Sequence, residues 1–162
     1  MPADLAVCRM ACARFVHLQY SEEWELMEFD TKVAIVVRDD LASWQKLNVT
    51  AFLATGIAAV APEAIGKPYE DASGRKYAAL LGQPMMIHTG DLSGLQRAFQ
   101  QGHQRELTMA VYVSAMFSTG NDDDNRAVFS AEPADQPDLV GVALRGPKKM
   151  IDKAVKGLAL HP

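Results

Sequence analysis

The sequence predicts a single α/β domain that begins near Lys32 and carries helices on both faces of its sheet. Three observations predict this class: a continuous β-branched run early in the chain, a long apolar segment directly after it, and two later strand patterns that each lead into a helix pattern. The chain has 162 residues, which is the size of one domain. Its 49% hydrophobic and 22% charged residues are ordinary for a globular protein.

The first strand and the first helix form the clearest pair. Lys32–Arg38 is rich in Val and Ile without polar alternation, which is typical of a strand buried on both faces. Trp44–Ala61 predicts a long apolar helix, and Pro62 ends it because proline lacks a backbone N–H and does not fit a helix interior. A strand that leads straight into a helix is the usual opening of an α/β unit.

The middle of the chain predicts a hairpin, a second strand–helix pair and a third strand. Polar, turn-forming residues between Gly66 and Gly82 favour the hairpin. Asp and Ser are preferred before a helix because their side-chain oxygens accept its free N–H groups. The expected elements are a turn at Ala72–Arg75, a strand at Pro84–Thr89, a helix that begins after Asp91 or Ser93 and runs to about Arg105, and a strand at Met109–Ser114.

The last third of the chain predicts a long loop, a fourth strand and a final helix. Ser118–Asp138 is a polar loop, of a length that is uncommon in compact domains and often functional. Leu139–Leu144 predicts the strand, and Gly146–Pro147 leads from it into the helix, with Gly157 as a C-cap. The buried stripe of this helix is expected to contain Met150, Ile151, Ala154, Val155 and Leu158.

The first 30 residues predict an N-terminal extension, either poorly ordered or forming a short helix from Ser21. Cys8 and Cys12 lie four positions apart in this extension, which suits neither a disulfide framework nor, without further ligands, a zinc site. Free thiols favour a reducing, cytoplasmic compartment. No apolar run is long enough to cross a bilayer, so no membrane contact is expected. The net charge of -4 argues against a general nucleic-acid surface.

Two segments of the chain resemble type-2 peptidyl-tRNA hydrolases. Lys32–Leu41 is similar to that family's opening strand, with its V-V-R-x-D-L pattern, and Gly146–Leu160 is similar to its closing motif, which begins G-P-x-x-x-I-D. The resemblance implies hydrolysis of peptidyl- or aminoacyl-tRNA, with Lys46 and Thr119 in the places of that family's helix lysine and loop threonine. Ala115 stands where the family has an aspartate, and the first helix lacks the family's histidine.

A closer resemblance is to a small uncharacterised family, domain of unknown function 2000, whose fold is similar to that of these hydrolases. The segments that carry it are Trp44–Leu53, Pro68–Gly74 and Phe117–Arg126. This resemblance implies that residues 31–162 form a three-layer α/β/α domain of the peptidyl-tRNA hydrolase II type. The implied sheet is mixed and four-stranded, in the order 2-1-4-3, with the fourth strand antiparallel to the others.

Polar residues follow the first and third predicted strands. Because open α/β sheets bind ligands beyond the carboxyl ends of their strands, we expect these residues to converge at one edge. Lys46, Thr119 and Asp40 are the candidate catalytic residues, since a cation, a hydroxyl and an acid can together orient a carbonyl or phosphoryl group. The candidate binding residues are Asn48, Asp122, Asn125 and Arg126. In the structural alternative, Asp40 caps the helix, Asn48 braces the loop and Arg126 pairs with an acid.

Three other charged or titratable features have simpler interpretations. The acids Asp122–Asp124 predict a solvated loop, because consecutive carboxylates do not converge on one cation. His88 follows apolar strand residues and is expected to be partly buried and hydrogen-bonded, not catalytic. The last helix is basic, which indicates either an anionic partner or, in view of the acidic net charge, a solvated face; its basic residues are Arg145, Lys148, Lys149, Lys153 and Lys156.

Together these observations predict a protein that binds or acts on a small ligand at the edge of its sheet. One alternative is a hydrolase of peptidyl- or aminoacyl-tRNA, with tRNA as its partner. The other is a non-catalytic interaction module that forms a homodimer through an apolar helix face. No cofactor and no metal ion is expected.

Overall fold

The computed structural model describes residues 29–162, in which the apolar run predicted as the first strand forms β1, Thr31–Arg38. Its central residues, Val33–Val37, are completely buried, as expected for a strand covered on both faces. The other elements, in chain order, are α1 (Ser43–Val60), β2 (Tyr69–Glu70), β3 (Lys76–Tyr77), β4 (Met85–Gly90), α2 (Leu92–Gln104), β5 (Thr108–Val113), α3 (Asp122–Ser130), β6 (Leu139–Pro147), α4 (Lys148–Ala154) and β7 (Ala159–Leu160).

The main sheet has the strand order β5-β6-β1-β4-β7. β1 pairs in parallel with β4 and antiparallel with β6, and β6 also pairs antiparallel with β5. The four predicted strands therefore stand in the expected order, with the fourth antiparallel to the others. The expectation of four strands is wrong, because β7 adds a fifth strand beside β4 through the pairs His88↔Leu160 and Thr89↔Ala159.

Helices cover both faces of this sheet. On one face α1 packs with Val49, Leu53 and Ile57 against the β1 side chains Val33, Ile35 and Val37. On the other face α2 and α4 pack against the alternate β1 residues, Ala34 and Val36. Alternate residues of one strand thus enter two separate cores, which explains why β1 is apolar at every central position.

The predicted long loop, Ser118–Asp138, is wrong over Asp122–Ser130, because these residues form α3. Asn121 is its N-cap, and the Asn121 side chain accepts a hydrogen bond of 2.9 Å from the Asp124 N–H. The acids of the first turn favour the helix, since negative charge stabilises the positive N-terminal end of its dipole. A five-residue 3-10 helix, Ser114–Ser118, joins β5 to this region.

Several local predictions are confirmed in the described part of the chain. Asp91 is the N-cap of α2 and accepts from the Gly94 N–H at 2.8 Å, which lowers the pKa of its carboxyl group. The hairpin β2–β3 turns at the expected place, where the Asp71 side chain accepts from the N–H groups of Ser73 and Arg75. In α4 the stripe is buried at Ile151, Ala154 and Val155, but Met150 is 40% exposed, contrary to expectation.

No helix within residues 29–162 combines the length and the apolarity needed to cross a bilayer. The predicted extension before residue 29, with Cys8, Cys12 and the short helix from Ser21, lies outside the described residues.

Candidate functional site

Helix α1 separates two cavities because its side chains project in three directions. Val49, Leu53 and Ile57 face the sheet and are buried. One flank of the helix carries Trp44, Asn48 and Phe52 at intervals of four residues, and these three line one cavity. The opposite flank carries Ser43, Lys46, Leu47 and Thr50, which line the second cavity. We call these the Asn48 cavity and the Lys46 cavity.

The Asn48 cavity has a volume of about 370 Å³ and lies between α1, the end of β5 and the segment that leads into α3. This volume is within the range of roughly 300–1,000 Å³ found for small-molecule sites. The cavity is lined by Trp44, Asn48, Phe52, Tyr112, Met116, Phe117, Thr119, Gly120, Asn121, Asp122 and Asn125. It therefore joins an aromatic wall to a set of amide, hydroxyl and carboxylate groups.

Four rings form the aromatic wall, and each is in contact with the next. The ring centroids of Trp44 and Phe117 are 5.8 Å apart in an edge-to-face arrangement, those of Tyr112 and Phe117 are 5.4 Å apart, and those of Phe52 and Tyr112 are 5.8 Å apart. Such separations stabilise aromatic pairs beyond the burial of their surface. The wall is therefore a connected surface, in which each ring supports its neighbour.

Tyr112 anchors this wall to the sheet. It lies near the end of β5, opposite Gly141 of β6, and the pairing of the two strands is irregular between Tyr112 and Val113. An irregularity of this kind changes the direction of the side chains beside it. Tyr112 is buried, which raises the pKa of its phenol, so its ring presents a neutral surface to the cavity.

Thr119 and Asn125 contact each other at the polar side of the cavity. The Thr119 hydroxyl lies 2.8 Å from the Met116 carbonyl oxygen and also contacts the side-chain amide of Asn125 through Oδ1. A hydroxyl has one hydrogen and cannot donate to two oxygens. Both contacts are satisfied if the Thr119 hydroxyl donates to the Met116 carbonyl and accepts from Asn125 Nδ2. This requires the Asn125 amide to be turned over, and its two ends are interchangeable in shape. The Asn125 oxygen is then left as an acceptor in the cavity.

The charge beside the Asn48 cavity is negative. Asp122 lines the cavity and begins the acidic first turn of α3. Its Oδ2 pairs with Arg126 one turn later, but both side chains are largely exposed, so this ion pair is weak. No Lys, Arg or His is among the residues that line the cavity, which disfavours carboxylates and phosphates as ligands.

A known protein family matches the part of the chain that contains both cavities. A model of proteins of unknown function, DUF2000, matches residues 31–162. The chain belongs to the DUF2000 family. The resemblance carried by Trp44–Leu53, Pro68–Gly74 and Phe117–Arg126 is thereby confirmed at the level of this family, and two of these three segments line the Asn48 cavity.

A solved structure of another protein of unknown function, from Agrobacterium tumefaciens strain C58, is similar to this DUF2000 chain. The two are 47% identical, the match covers 83% of this chain and 100% of that chain, and the TM-score is 0.81. None of the curated proteins matches the chain. The solved structure therefore supports the fold of the DUF2000 domain.

The structure brings together four of the candidate site residues of this DUF2000 domain and separates three. Asn48, Thr119, Asp122 and Asn125 all line the Asn48 cavity. Lys46 lines the other cavity, so the expected convergence of Lys46 with Thr119 is wrong. The physical reason is that positions 46 and 48 are separated by about 200° around a helix.

Asp40 and Arg126, which were also candidates, contact neither cavity. Asp40 accepts from Arg38 Nε at 2.7 Å, and Arg38 also pairs with Asp138 at 2.8 Å. Burial opposes the charge of Arg38, but these two carboxylates outweigh it and raise the pKa of its guanidinium. Asp40 therefore helps to hold the end of β1 beside the start of β6, and the helix after it is capped instead by Gln45, which accepts from the Ala42 N–H at 3.0 Å.

His88 is buried, as expected, and its ring lies beside the Leu158 and Ala159 backbone, but contrary to expectation its ring nitrogens form no hydrogen bond of good geometry within residues 29–162. Burial lowers the pKa of its imidazole, which remains neutral at pH 7. The described residues also contain no group of three His, Cys, Asp or Glu side chains placed to hold a metal ion. Of the basic residues near the last helix, Arg145 pairs with Glu63 at 2.8 Å.

The aromatic wall is the part of the site that the sequence did not predict. Trp44, Phe52 and Phe117 were placed within the segments that resemble the family, and Tyr112 within a strand, but none was assigned to a site. Aromatic residues at helix and strand positions usually belong to the core. The available signal was that Trp44, Asn48 and Phe52 alternate an amide with two aromatic rings on one flank of a helix.

Proposed function

We propose that the protein binds a small, flat organic ligand that carries N–H donors and a positive charge, and that it does so in the Asn48 cavity. One observation carries this proposal: four contacting aromatic rings face a set of acceptor groups, with no basic side chain among the lining residues. A flat cation is attracted to the faces of aromatic rings, by about 0.5–2 kcal/mol for each suitable contact. Asp122 and the Asn125 oxygen supply acceptors for its N–H groups.

We propose a binding function in preference to a catalytic one. The Thr119 hydroxyl contacts a carbonyl and an amide, and neither group is a base that would activate it as a nucleophile. Lys46 is placed in the other cavity, and the acids at the start of α3 repel the phosphates of tRNA. The geometry therefore gives little support to hydrolysis of peptidyl- or aminoacyl-tRNA.

The proposal retains two expectations from the sequence. The first is a fold similar to that of type-2 peptidyl-tRNA hydrolases, which the strand order β4-β1-β6-β5 with an antiparallel β6 supports. The second is a cytoplasmic location for the protein.

A fluorescence titration tests the binding proposal. The chain contains two tryptophans, so Trp24→Phe leaves Trp44, in the cavity wall, as the single indole. Benzamidine is the probe because it is flat, cationic and rich in N–H donors; benzamide and benzoate have nearly the same shape with no charge and a negative charge. We expect a saturable change in Trp44 emission with benzamidine, a weaker response with benzamide and none with benzoate.

A matched pair of phenylalanine variants tests whether benzamidine binds in the Asn48 cavity. Phe117→Leu removes a ring from the wall, whereas Phe129→Leu makes the same change in α3 away from the cavity lining. We expect Phe117→Leu to weaken benzamidine binding about three- to tenfold, the equivalent of one aromatic contact, and Phe129→Leu to leave it unchanged. Equal binding by benzoate, or equal effects of the two variants, would refute the proposal.

We also propose that two copies of the chain associate through the outer face of α1. This face exposes Trp44 by 61%, Leu47 by 74% and Phe52 by 55%, and the helix carries Lys46 as its one charged residue. A helix that is apolar on all sides normally has no exposed face. These three side chains expose roughly 400 Å² per copy, so a symmetric pair would bury roughly 800 Å² through them alone, which is in the range of weak and transient interfaces.

Light scattering over a range of concentrations tests this second proposal. We expect the mass to approach twice that of the chain as concentration rises, and Leu47→Asp to keep it at that of one chain. Leu80→Asp is the control, because Leu80 is exposed but lies outside α1. A constant monomer mass for the unmodified protein would contradict the proposal.

A further inference from the structure

The Lys46 cavity lies where the two parallel strands β1 and β4 meet. Val37, near the end of β1, and Ile87, in β4, form its floor. β1 is followed by α1 on one face of the sheet, and β4 is followed by α2 on the other face. The crevice between the carboxyl ends of two such strands is the place where open α/β sheets bind their ligands. The Lys46 cavity lies beside this crevice, on the α1 face of the sheet, with Ile87 as its lining residue from β4.

The lining of the Lys46 cavity is mostly apolar and contains one lysine. Its volume is about 430 Å³, and its exposed apolar surface comes from Leu47, Ile87 and Pro162, whereas Val37 is completely buried. The Ser43 and Thr50 hydroxyls also line it, and Thr50 donates its hydrogen to the Lys46 carbonyl oxygen at 2.8 Å. The His161 side chain completes the lining, while the His161 backbone N–H donates to the Ile87 carbonyl at 2.9 Å.

The Lys46 ammonium forms no ion pair within residues 29–162. The six ion pairs of this part of the chain involve Lys32, Arg38, Arg75, Arg126 and Arg145, and none involves Lys46. Lys46 is nevertheless half-buried, beside the apolar floor of the cavity. A partly desolvated ammonium is stabilised by an anion that approaches it from the cavity.

The balance of charge and apolar surface defines the class of ligand. A single ammonium matches a single negative charge, whereas polyanions such as tRNA need several cations along their length. The apolar floor matches a hydrocarbon body, and burial of each methylene group contributes about 0.8 kcal/mol. The cavity volume is also in the range found for small-molecule sites.

We propose that the Lys46 cavity binds a monocarboxylate with an apolar body. The carboxylate pairs with Lys46 Nζ and accepts from the Ser43 hydroxyl, and the body lies against Leu47 and Ile87. This site is separate from the proposed cation site in the Asn48 cavity, on the opposite flank of the same helix. Each site can therefore fail in experiment without affecting the argument for the other.

Calorimetry and amide NMR with octanoate test this proposal, with octylammonium as the probe of opposite charge and equal length. We expect saturable binding of octanoate, with shift changes at Ser43, Lys46, Thr50 and Ile87, and no saturable binding of octylammonium there. Lys46→Met should weaken octanoate binding about tenfold or more, which is the contribution expected of a charge-assisted hydrogen bond. Lys46→Arg, which keeps the charge, should retain most of the affinity.

Lys67→Met is the control for a general loss of positive charge, since Lys67 is exposed and does not line the cavity. We expect it to bind octanoate like the unmodified protein. The proposal is overturned if octanoate does not bind, if octylammonium binds as tightly, or if Lys46→Met and Lys67→Met behave alike. Shift changes confined to the Trp44–Phe117 wall would also overturn it, because they would place the acid in the other cavity.

Discussion

Leu53→Ala is expected to lower the free energy of unfolding by about 2–5 kcal/mol, the usual cost of removing a buried leucine side chain. Leu53 is only 2% exposed and belongs to the core between α1 and the sheet. Its neighbours there include Val49 and Ile57 of α1, both completely buried, so the surroundings have little freedom to fill the space. Because α1 forms a wall of both cavities, a loosened contact with the sheet should also weaken ligand binding.

Urea unfolding, followed by circular dichroism, measures this effect. Leu80→Ala makes the same chemical change at a residue that is 63% exposed, and we expect it to alter stability by less than about 0.5 kcal/mol. Similar losses from the two variants would mean that α1 is not packed on the sheet as described.

Gly141→Ala is expected to destabilise the domain by about 1–3 kcal/mol, although it adds only one methyl group. A Cβ atom at this position of β6 would lie 2.4 Å from Val49 Cγ1 and 2.8 Å from Leu53 Cδ1. Both of those side chains are buried and cannot move aside without shifting α1. The absence of a side chain at Gly141 therefore sets how closely α1 approaches the sheet.

Gly120→Ala is the matched control for this prediction. A Cβ atom at Gly120 would have no other atom within 4 Å, so there is space for the methyl group. We expect unfolding of Gly120→Ala to resemble that of the unmodified protein in the same urea titration. If Gly141→Ala were equally stable, the close contact between α1 and β6 would be contradicted.

The sequence predicted the central strands well because their burial on both faces leaves an uninterrupted apolar pattern. β1 and β6 pair antiparallel along most of their lengths, from Thr31↔Pro147 to Val37↔Gly141. β7 was missed because Ala159–Leu160 is too short to show a pattern of its own. It is a strand by virtue of its pairing with the edge of β4, a tertiary contact that no local pattern reports.

Helix α3 was missed for a different reason. Asp122–Asp124 were interpreted as a solvated loop, but acids in the first turn of a helix favour the helix when a cap precedes them. Asn121 provides that cap through the Asp124 N–H. The signal was therefore present in the sequence, at the start of the segment predicted as a loop.

The sequence predicted which residues lie near the strand ends, but it did not predict which flank of α1 each helix residue occupies. Asn48, Thr119, Asp122 and Asn125 meet because the start of α1 and the end of β5 lie at the same edge of the sheet. Lys46 lies on the opposite flank of α1 because it is two residues from Asn48, which is a rotation of about 200° around the helix axis. The assignment of a helix residue to one cavity or the other thus depends on which stripe faces the sheet.

Intermolecular nuclear Overhauser effects between benzamidine and the protein test the central claim most directly, because they report which side chains contact the ligand. The Asn48 cavity predicts effects from the benzamidine ring protons to the ring protons of Trp44 and Phe117. Effects to the methyl groups of Val37 and Ile87 instead would place the cation in the Lys46 cavity. That result, or the absence of any effect at saturating benzamidine, would contradict the account.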